Sequence, residues 1–237
     1  SGDAPELLDT EHPQRIRELQ RSFIEAGADI ILTNSFGGNR HRLKLHKAEG
    51  RVAELNEAAA GLARAEADRA GRIVLVAGSM GPTGEILEPL GPLSAADAGE
   101  AFAEQAAALA QGGADLLWIE TMSSVEETEA AIAGARTTGL PVVATLSFDT
   151  NGRTMMGITP VELAGLHRKH GLAACGSNCG TGPAELVACI VNLATASESG
   201  AILVAKANCG IPQFRNGEIR FDGTPELMAQ YACLSLD

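Results

Sequence analysis

Two near-repeats hold the cysteines best placed for chemistry, Gly176-Ser177-Asn178-Cys179-Gly180 and Lys206-Ala207-Asn208-Cys209-Gly210. In each, a short apolar run closes on a thiol with a glycine behind it, so little side-chain bulk shields the sulfur. Such a thiol suits a metal or a substrate, and two such tips on consecutive strands would be neighbours. Two thiolates are an incomplete zinc set, because catalytic zinc usually takes three protein ligands. Glu120 closes Leu116-Leu117-Trp118-Ile119-Glu120, where a carboxylate can hold an ammonium group or act as a base. Thr33, Asn34 and Ser35 end another apolar run, ahead of Phe36-Gly37-Gly38-Asn39. Hydroxyls and exposed backbone N–H groups there suit the carboxylate of a small ligand. Taken singly, a rim ion pair explains Glu120 equally well, and ordinary loop capping explains Thr33, Asn34 and Ser35 better.

The remaining polar groups carry less. Gly78-Ser79-Met80-Gly81-Pro82-Thr83-Gly84 is glycine-rich but lacks the Gly-Lys-Ser/Thr ending of a phosphate loop. It predicts a turn or a close backbone approach to a ligand. His167 and His170 fall on a predicted helix, at the end remote from the strand tips, and His41 and His46 flank a basic segment. Solvated helix positions account for these four, and His12 marks a helix start; no histidine-rich metal set is visible. Cys175 and Cys189 sit in apolar surroundings and Cys233 on the last predicted helix, so all three read as packed small hydrophobes.

The elements that must position these residues alternate. Six short apolar runs, near 30–34, 73–78, 116–120, 142–147, 172–178 and 202–206, read as buried strands. Between and around them lie helical segments: one from His12 to a glycine stop at Gly27, then 51–69, 95–111, 124–137, 160–170, 183–196 and 225–235. Strict alternation calls for a parallel sheet, since parallel neighbours need a crossover that is usually helical. Polar or cysteine endings occur on nearly every strand, which fits the mouth of a (β/α)8 TIM-type barrel. An open doubly wound sheet would instead concentrate function at one switch point. A barrel of this kind has eight strands. The chain, read as a single domain over 1–237, is therefore expected to be incomplete at both ends, without the first and last strands.

Composition removes whole classes of partner. A chain of 237 residues can bury a sizeable core as one domain. A net charge of −12 argues against a nucleic-acid backbone, and 3% aromatic residues supply little base stacking. No run approaches the roughly 20 apolar residues that span a bilayer, and the stretch from Ser1 to Glu6 lacks the pattern of a signal peptide. Five cysteines, an odd count at low density, fit reduced thiols in a cytoplasm. A homo-oligomer is left open.

Five stretches together resemble the homocysteine S-methyltransferases: Gly27 to Phe36, Val76 to Gly84, Trp118 to Thr121, Gly176 to Gly180, and Asn208 to Pro212. The resemblance is greatest to the bacterial betaine–homocysteine branch, on Thr33 to Leu45 and Lys206 to Phe214. It implies a (β/α)8 barrel with zinc at its C-terminal mouth and methyl transfer from betaine, or a related methylammonium or sulfonium donor, to the homocysteine thiol. By the same resemblance Cys179 matches a zinc-ligand cysteine, Glu120 the acid that holds the homocysteine amino group, and Thr33 a residue near its carboxylate. The expected substrate-binding set is Glu120, Thr33, Asn34, Ser35 and Asn178, with no side chain expected as a direct acid or base.

Two departures from the family pattern stand out. The other two zinc ligands of the family lie in a Gly-Gly-Cys-Cys-Gly segment that these residues do not contain, which leaves Cys209 as a substitute ligand. The family's first strand, with its Asp-Gly turn, is also missing. Gly37 and Thr121 stand where aromatic rings around a betaine head would be expected, so dimethylsulfoniopropionate and S-methylmethionine remain as donors. The alternatives are a metal-independent barrel lyase or aldolase using Lys206, and a non-catalytic amino-acid-binding barrel.

Overall fold

The computed structural model describes residues 4–215 and 217–235. The Ser1-Gly2-Asp3 start and the Leu236-Asp237 end lie outside the described residues. The six apolar runs form six strands: β1 (Ile30–Leu32), β2 (Leu75–Met80), β3 (Leu116–Met122), β4 (Val142–Leu146), β5 (Ala174–Cys179) and β6 (Leu203–Ala207). Their order in the sheet is their order in the chain. β1–β2, β2–β3 and β5–β6 pair in parallel, with Ser79 opposite Trp118 and Cys179 opposite Ala207. Chain-order adjacency without a reversal is barrel topology, whereas a doubly wound sheet changes direction at its switch point. These are six strands of a partial (β/α)8 barrel.

The helices are α1 (Leu8–Glu11), α2 (Pro13–Glu25), α3 (Arg40–Lys44), α4 (Val52–Ala67), α5 (Ala95–Gln111), α6 (Val125–Arg136), α7 (Pro160–His170), α8 (Pro183–Ala196) and α9 (Pro225–Leu234). Their starts are chemically marked. Ser94 accepts the Asp97 N–H at 3.0 Å, and Thr159 forms a capping box with Glu162 ahead of α7. Gly171, left-handed at φ 53°, stops α7, where a side chain would be strained. Among the described residues no helix is long and apolar enough to cross a membrane.

The chain divides into two compact units, Ser1–Glu120 with Glu126–Val143, and Thr121–Val125 with Ala144–Asp237. In the first, Ile24, Ile31, Ala63, Ala67, Val74 and Val76 pack α2, β1, α4 and β2 into one apolar cluster. Glu66 on α4 is buried beneath Arg17 and Arg21 of α2 and Arg69, at 3.5, 3.1 and 3.0 Å. In the second, α7 and α8 cover β5, with Leu163, Leu166, Cys175, Leu186, Cys189 and Leu193 buried. Burial pushes the Cys175 thiol up to about 12 and the Cys189 thiol up to about 11, the latter despite a contact with Ser177.

The structure corrects several expectations. Arg40–Lys44 is a short helix, begun by Asn39 accepting the Arg42 N–H at 3.1 Å. His41, His167 and His170 are half-buried, not solvated. Cys233 is exposed, on a helix α9 that buries none of its residues, so it is not a packed hydrophobe. Strand β6 stops at Ala207, two residues short of Cys209. A hairpin of β7 (Gln213–Arg215) and β8 (Glu218–Arg220) follows it, pairing Phe214 with Ile219.

Candidate active site

Within the first unit, the polar ends of β1, β2 and β3 meet through hydroxyl groups. Ser79, at the end of β2, donates from Oγ to Glu120 Oε1 at 2.5 Å. Its N–H donates to Thr33 Oγ1 at 2.9 Å, and its carbonyl accepts from Ser35 Oγ at 2.8 Å. Thr33 Oγ1 and Ser35 Oγ stand 2.5 Å apart. A hydroxyl has one proton. Ser35 uses its proton on the Ser79 carbonyl, so Thr33 must be the donor to Ser35. The protons therefore run one way, Thr33 to Ser35 to the Ser79 carbonyl, while the Ser79 hydroxyl points at Glu120. All four residues are buried.

Two helices hold this arrangement from behind. Gln105 of α5 donates from Nε2 to the Ser35 carbonyl at 2.8 Å, to Asn56 Oδ1 at 3.2 Å and to the Ser79 carbonyl at 3.4 Å. Asn56 of α4 donates from Nδ2 to the carbonyls of Gly38 and Val52, both at 2.8 Å. The glycine-rich stretch after β2 closes against the β1 loop: Gly81 N–H donates to the Phe36 carbonyl at 2.9 Å. A Cβ at Gly81 would lie 2.6 Å from the Phe36 ring, so that glycine serves close approach of two loops. Asn34 turns away from the hydroxyl chain and donates to the Pro5 carbonyl at 2.8 Å and to Asp9 Oδ2 at 3.3 Å. Asp9 is 3% exposed, and burial, helped by neighbouring Glu6, pushes its carboxyl up to about 8. Glu6 in turn accepts the Gly37 N–H at 2.6 Å.

Within the second unit, Asn178 clamps two strand ends. Its Oδ1 accepts the Thr121 N–H at 2.9 Å, and its Nδ2 donates to Thr121 Oγ1 at 2.7 Å and to Cys179 Sγ at 3.1 Å. Thr121 and Cys179 both hold left-handed backbone, φ 65° and 60°, which is uncommon outside glycine. Such strain persists only where surrounding contacts over-determine it, and it gathers at functional sites. The Asn208 N–H donates to the Cys179 carbonyl at 3.2 Å. Cys209 lies one residue further on and lines a cleft with Glu185, Gln213, Asp222, Leu227 and Tyr231.

Cys179 is a donor suited to zinc, half-buried at a strand end. A complete set is another matter: among the described residues no group of three or more His, Cys, Asp or Glu side chains could hold a metal ion. The described residues therefore do not make a zinc site by themselves. Lys206 is exposed on β6.

Sequence reasoning missed Ser79 as the partner of Glu120, Thr121 as the partner of Asn178, and both amides behind the hydroxyl chain. Asn56 and Gln105 had left a trace. Each interrupts an otherwise apolar helical stripe, Val52-Leu55-Asn56-Ala59-Ala63 on α4 and Ala98-Ala101-Gln105-Ala108-Leu109 on α5.

Comparison with known proteins agrees with the topology. The family profile described as homocysteine S-methyltransferase matches residues 3–235. Methionine synthase from Mycobacterium tuberculosis is 33% identical over 196 residues, covering 76% of this chain and 16% of that protein. Methionine synthase from Mycobacterium leprae is 31% identical over 192 residues, with the same coverages. The chain thus spans about a sixth of the length of these curated relatives. Crystal structures of the homocysteine methyltransferase MmuM from Escherichia coli share the fold. The metallated form gives a TM-score of 0.70 at 22% identity, covering 84% of this chain and 82% of that one. The oxidized form gives 0.72 at 24%, covering 98% and 80%. The chain belongs to the homocysteine S-methyltransferase family.

Proposed function

We propose that this chain binds L-homocysteine and transfers a methyl group to its thiol, giving methionine. The observation that carries the reading is Glu120, a buried carboxylate at the end of β3 whose Oε1 is oriented by the Ser79 hydroxyl at 2.5 Å, in a chain of this family. Glu120 holds the substrate's ammonium group by a charge-assisted hydrogen bond. Thr33, Asn34 and Ser35 form the neighbouring edge toward which the amino-acid carboxylate lies, with the loop backbone as donor. Asn178 acts on the sulfur side: it fixes the strand end that carries Cys179 and donates from Nδ2 to its sulfur at 3.1 Å.

Cys179 is proposed as one ligand of a zinc ion, with Cys209 as a substitute second ligand; these two thiols alone do not complete the set. Zinc, when bound, would deprotonate the homocysteine thiol. The protein's own residues contribute position: holding the amino acid by its ammonium and carboxylate limits the sulfur to a small arc facing the donor, which is worth several kcal/mol when the geometry is good. The proposed donor is betaine, supported by the resemblance over Thr33 to Leu45 and Lys206 to Phe214.

The test is methyl transfer by the full-length protein to homocysteine from betaine, dimethylsulfoniopropionate and S-methylmethionine, side by side. Methionine from betaine alone supports the whole reading. Methionine from another donor keeps the acceptor and replaces the donor. A Glu120→Ala variant with unchanged homocysteine KM removes Glu120 from the site.

A further inference from the structure

We propose that the buried amide pair Asn56–Gln105 is a positioning device for Glu120, setting through the Ser35 and Ser79 carbonyls the direction in which the Ser79 hydroxyl meets the carboxylate. This deepens the proposed function and rests on its assignment of Glu120 to the substrate's ammonium group. Neither amide has a place in the apolar stripe of its helix unless it is bonded, because an unpaired buried amide is costly. Both are fully buried; Asn56 donates to the Gly38 carbonyl after β1 and to Val52 of its own helix, and Gln105 donates to the Ser35 carbonyl after β1 and, at 3.4 Å, to the Ser79 carbonyl within β2. Gln105 reaches the Ser35 carbonyl at 2.8 Å, and Asn56 accepts from Gln105 while donating to the Gly38 carbonyl at 2.8 Å. The pair therefore holds two carbonyls of the loop after β1, those of Ser35 and Gly38, from the helices behind it.

The hydroxyl chain makes that fixing consequential. Ser79 gives its only hydroxyl proton to Glu120 while its carbonyl receives the Ser35 hydroxyl. If the Ser35 carbonyl shifts, the Ser35 hydroxyl loses its line to the Ser79 carbonyl. Ser35 is then free to compete for Thr33 or for the Ser79 hydroxyl, and the orientation of the carboxylate is no longer unique. Gly38 supplies a second, independent sign that the space is reserved. A Cβ there would lie 2.5 Å from Asn56 Oδ1 and 2.9 Å from Gln105 Nε2, so the absent side chain makes room for the amides.

The experiment perturbs the amides without touching Ser79 or Glu120, in the full chain. Gln105→Met keeps volume and removes the donor, and Gly38→Ala pushes the pair from the other side. The first readout needs no ligand: high-resolution crystal structures of both variants. The proposal expects the Ser79–Glu120 contact to lengthen beyond hydrogen-bonding distance or to split into alternatives; an unchanged contact in both overturns it. The second readout is calorimetric binding of homocysteine beside 4-mercaptobutyrate, its analogue without the amino group. A preference for homocysteine in the unaltered chain, reduced about tenfold in either variant that folds, supports positioning. Equal weakening of both ligands marks a merely structural role and also overturns it. Absence of any preference in the unaltered chain removes Glu120's ammonium role, while the crystallographic readout still decides whether the amides position the carboxylate.

Discussion

Asp9 makes the fold lose stability as pH rises from about 4 to about 8, in a way that one substitution should abolish. Its carboxyl is buried, accepts one hydrogen bond from Asn34 at 3.3 Å, and has Oδ1 out of solvent with no partner among the described residues. Burial raises its pKa from 3.8 to about 8. Below about pH 4 both folded and unfolded chains hold the proton, and Asp9 costs nothing. As pH rises the unfolded chain releases the proton first, while the folded chain keeps it until about pH 8. Stability is thus lost progressively across that window, at about 1.4 kcal/mol per pH unit, to an upper bound of about 6 kcal/mol. Asp9→Asn keeps an acceptor for Asn34 and cannot ionise. Urea unfolding of both chains at pH 4.5, 6 and 7.5 should show near-equal stability at the lowest pH and a growing advantage for Asn as pH rises. Other carboxylates contribute equally to both chains and cancel in the difference. A difference that stays constant with pH would refute the reasoning.

Three further outcomes follow from the same geometry. Ser79→Ala removes a hydrogen bond to a carboxylate worth about 1.5–3 kcal/mol, so homocysteine KM should rise roughly tenfold to a hundredfold, with kcat changing less; steady-state kinetics of the full-length enzyme checks both. A thiol-reagent time course on the folded protein should label Cys233 first and leave Cys175 and Cys189 unlabelled, since they are buried with pKa pushed to about 12 and about 11; mass mapping identifies the sites. Gly176→Ala would drive a Cβ into the Val204 carbonyl of the adjacent strand. A drop in thermal midpoint of several degrees or outright failure to fold is expected, and a midpoint equal to the parent's counts against this packing.

The scaffold was largely legible because its signals are local. Apolar runs such as Leu116–Ile119 and the glycines before strands, Gly27 and Gly113 at φ 100° and 103°, report on their own neighbourhood. Glu120 was legible for the same reason, as a carboxylate at the end of an apolar strand. Ser79 was visible only as a polar strand ending, since its bond to Glu120 spans 41 residues and no periodicity encodes it. The β7–β8 hairpin escaped notice because its strands are short and exposed, with Phe214 and Ile219 set among polar residues. Asp9 and Glu6 sit in a polar stretch that looks solvated, and only the fold buries them.

The central claim is methyl transfer to homocysteine that depends on the proposed zinc ligand Cys179. Its most direct test is isotope transfer from methyl-labelled betaine to homocysteine by the full-length protein and by its Cys179→Ala variant. Labelled methionine is expected from the parent and little or none from the variant. Undiminished label in the variant, or no labelled methionine from the parent with labelled betaine or with labelled dimethylsulfoniopropionate or S-methylmethionine run beside it, would contradict it.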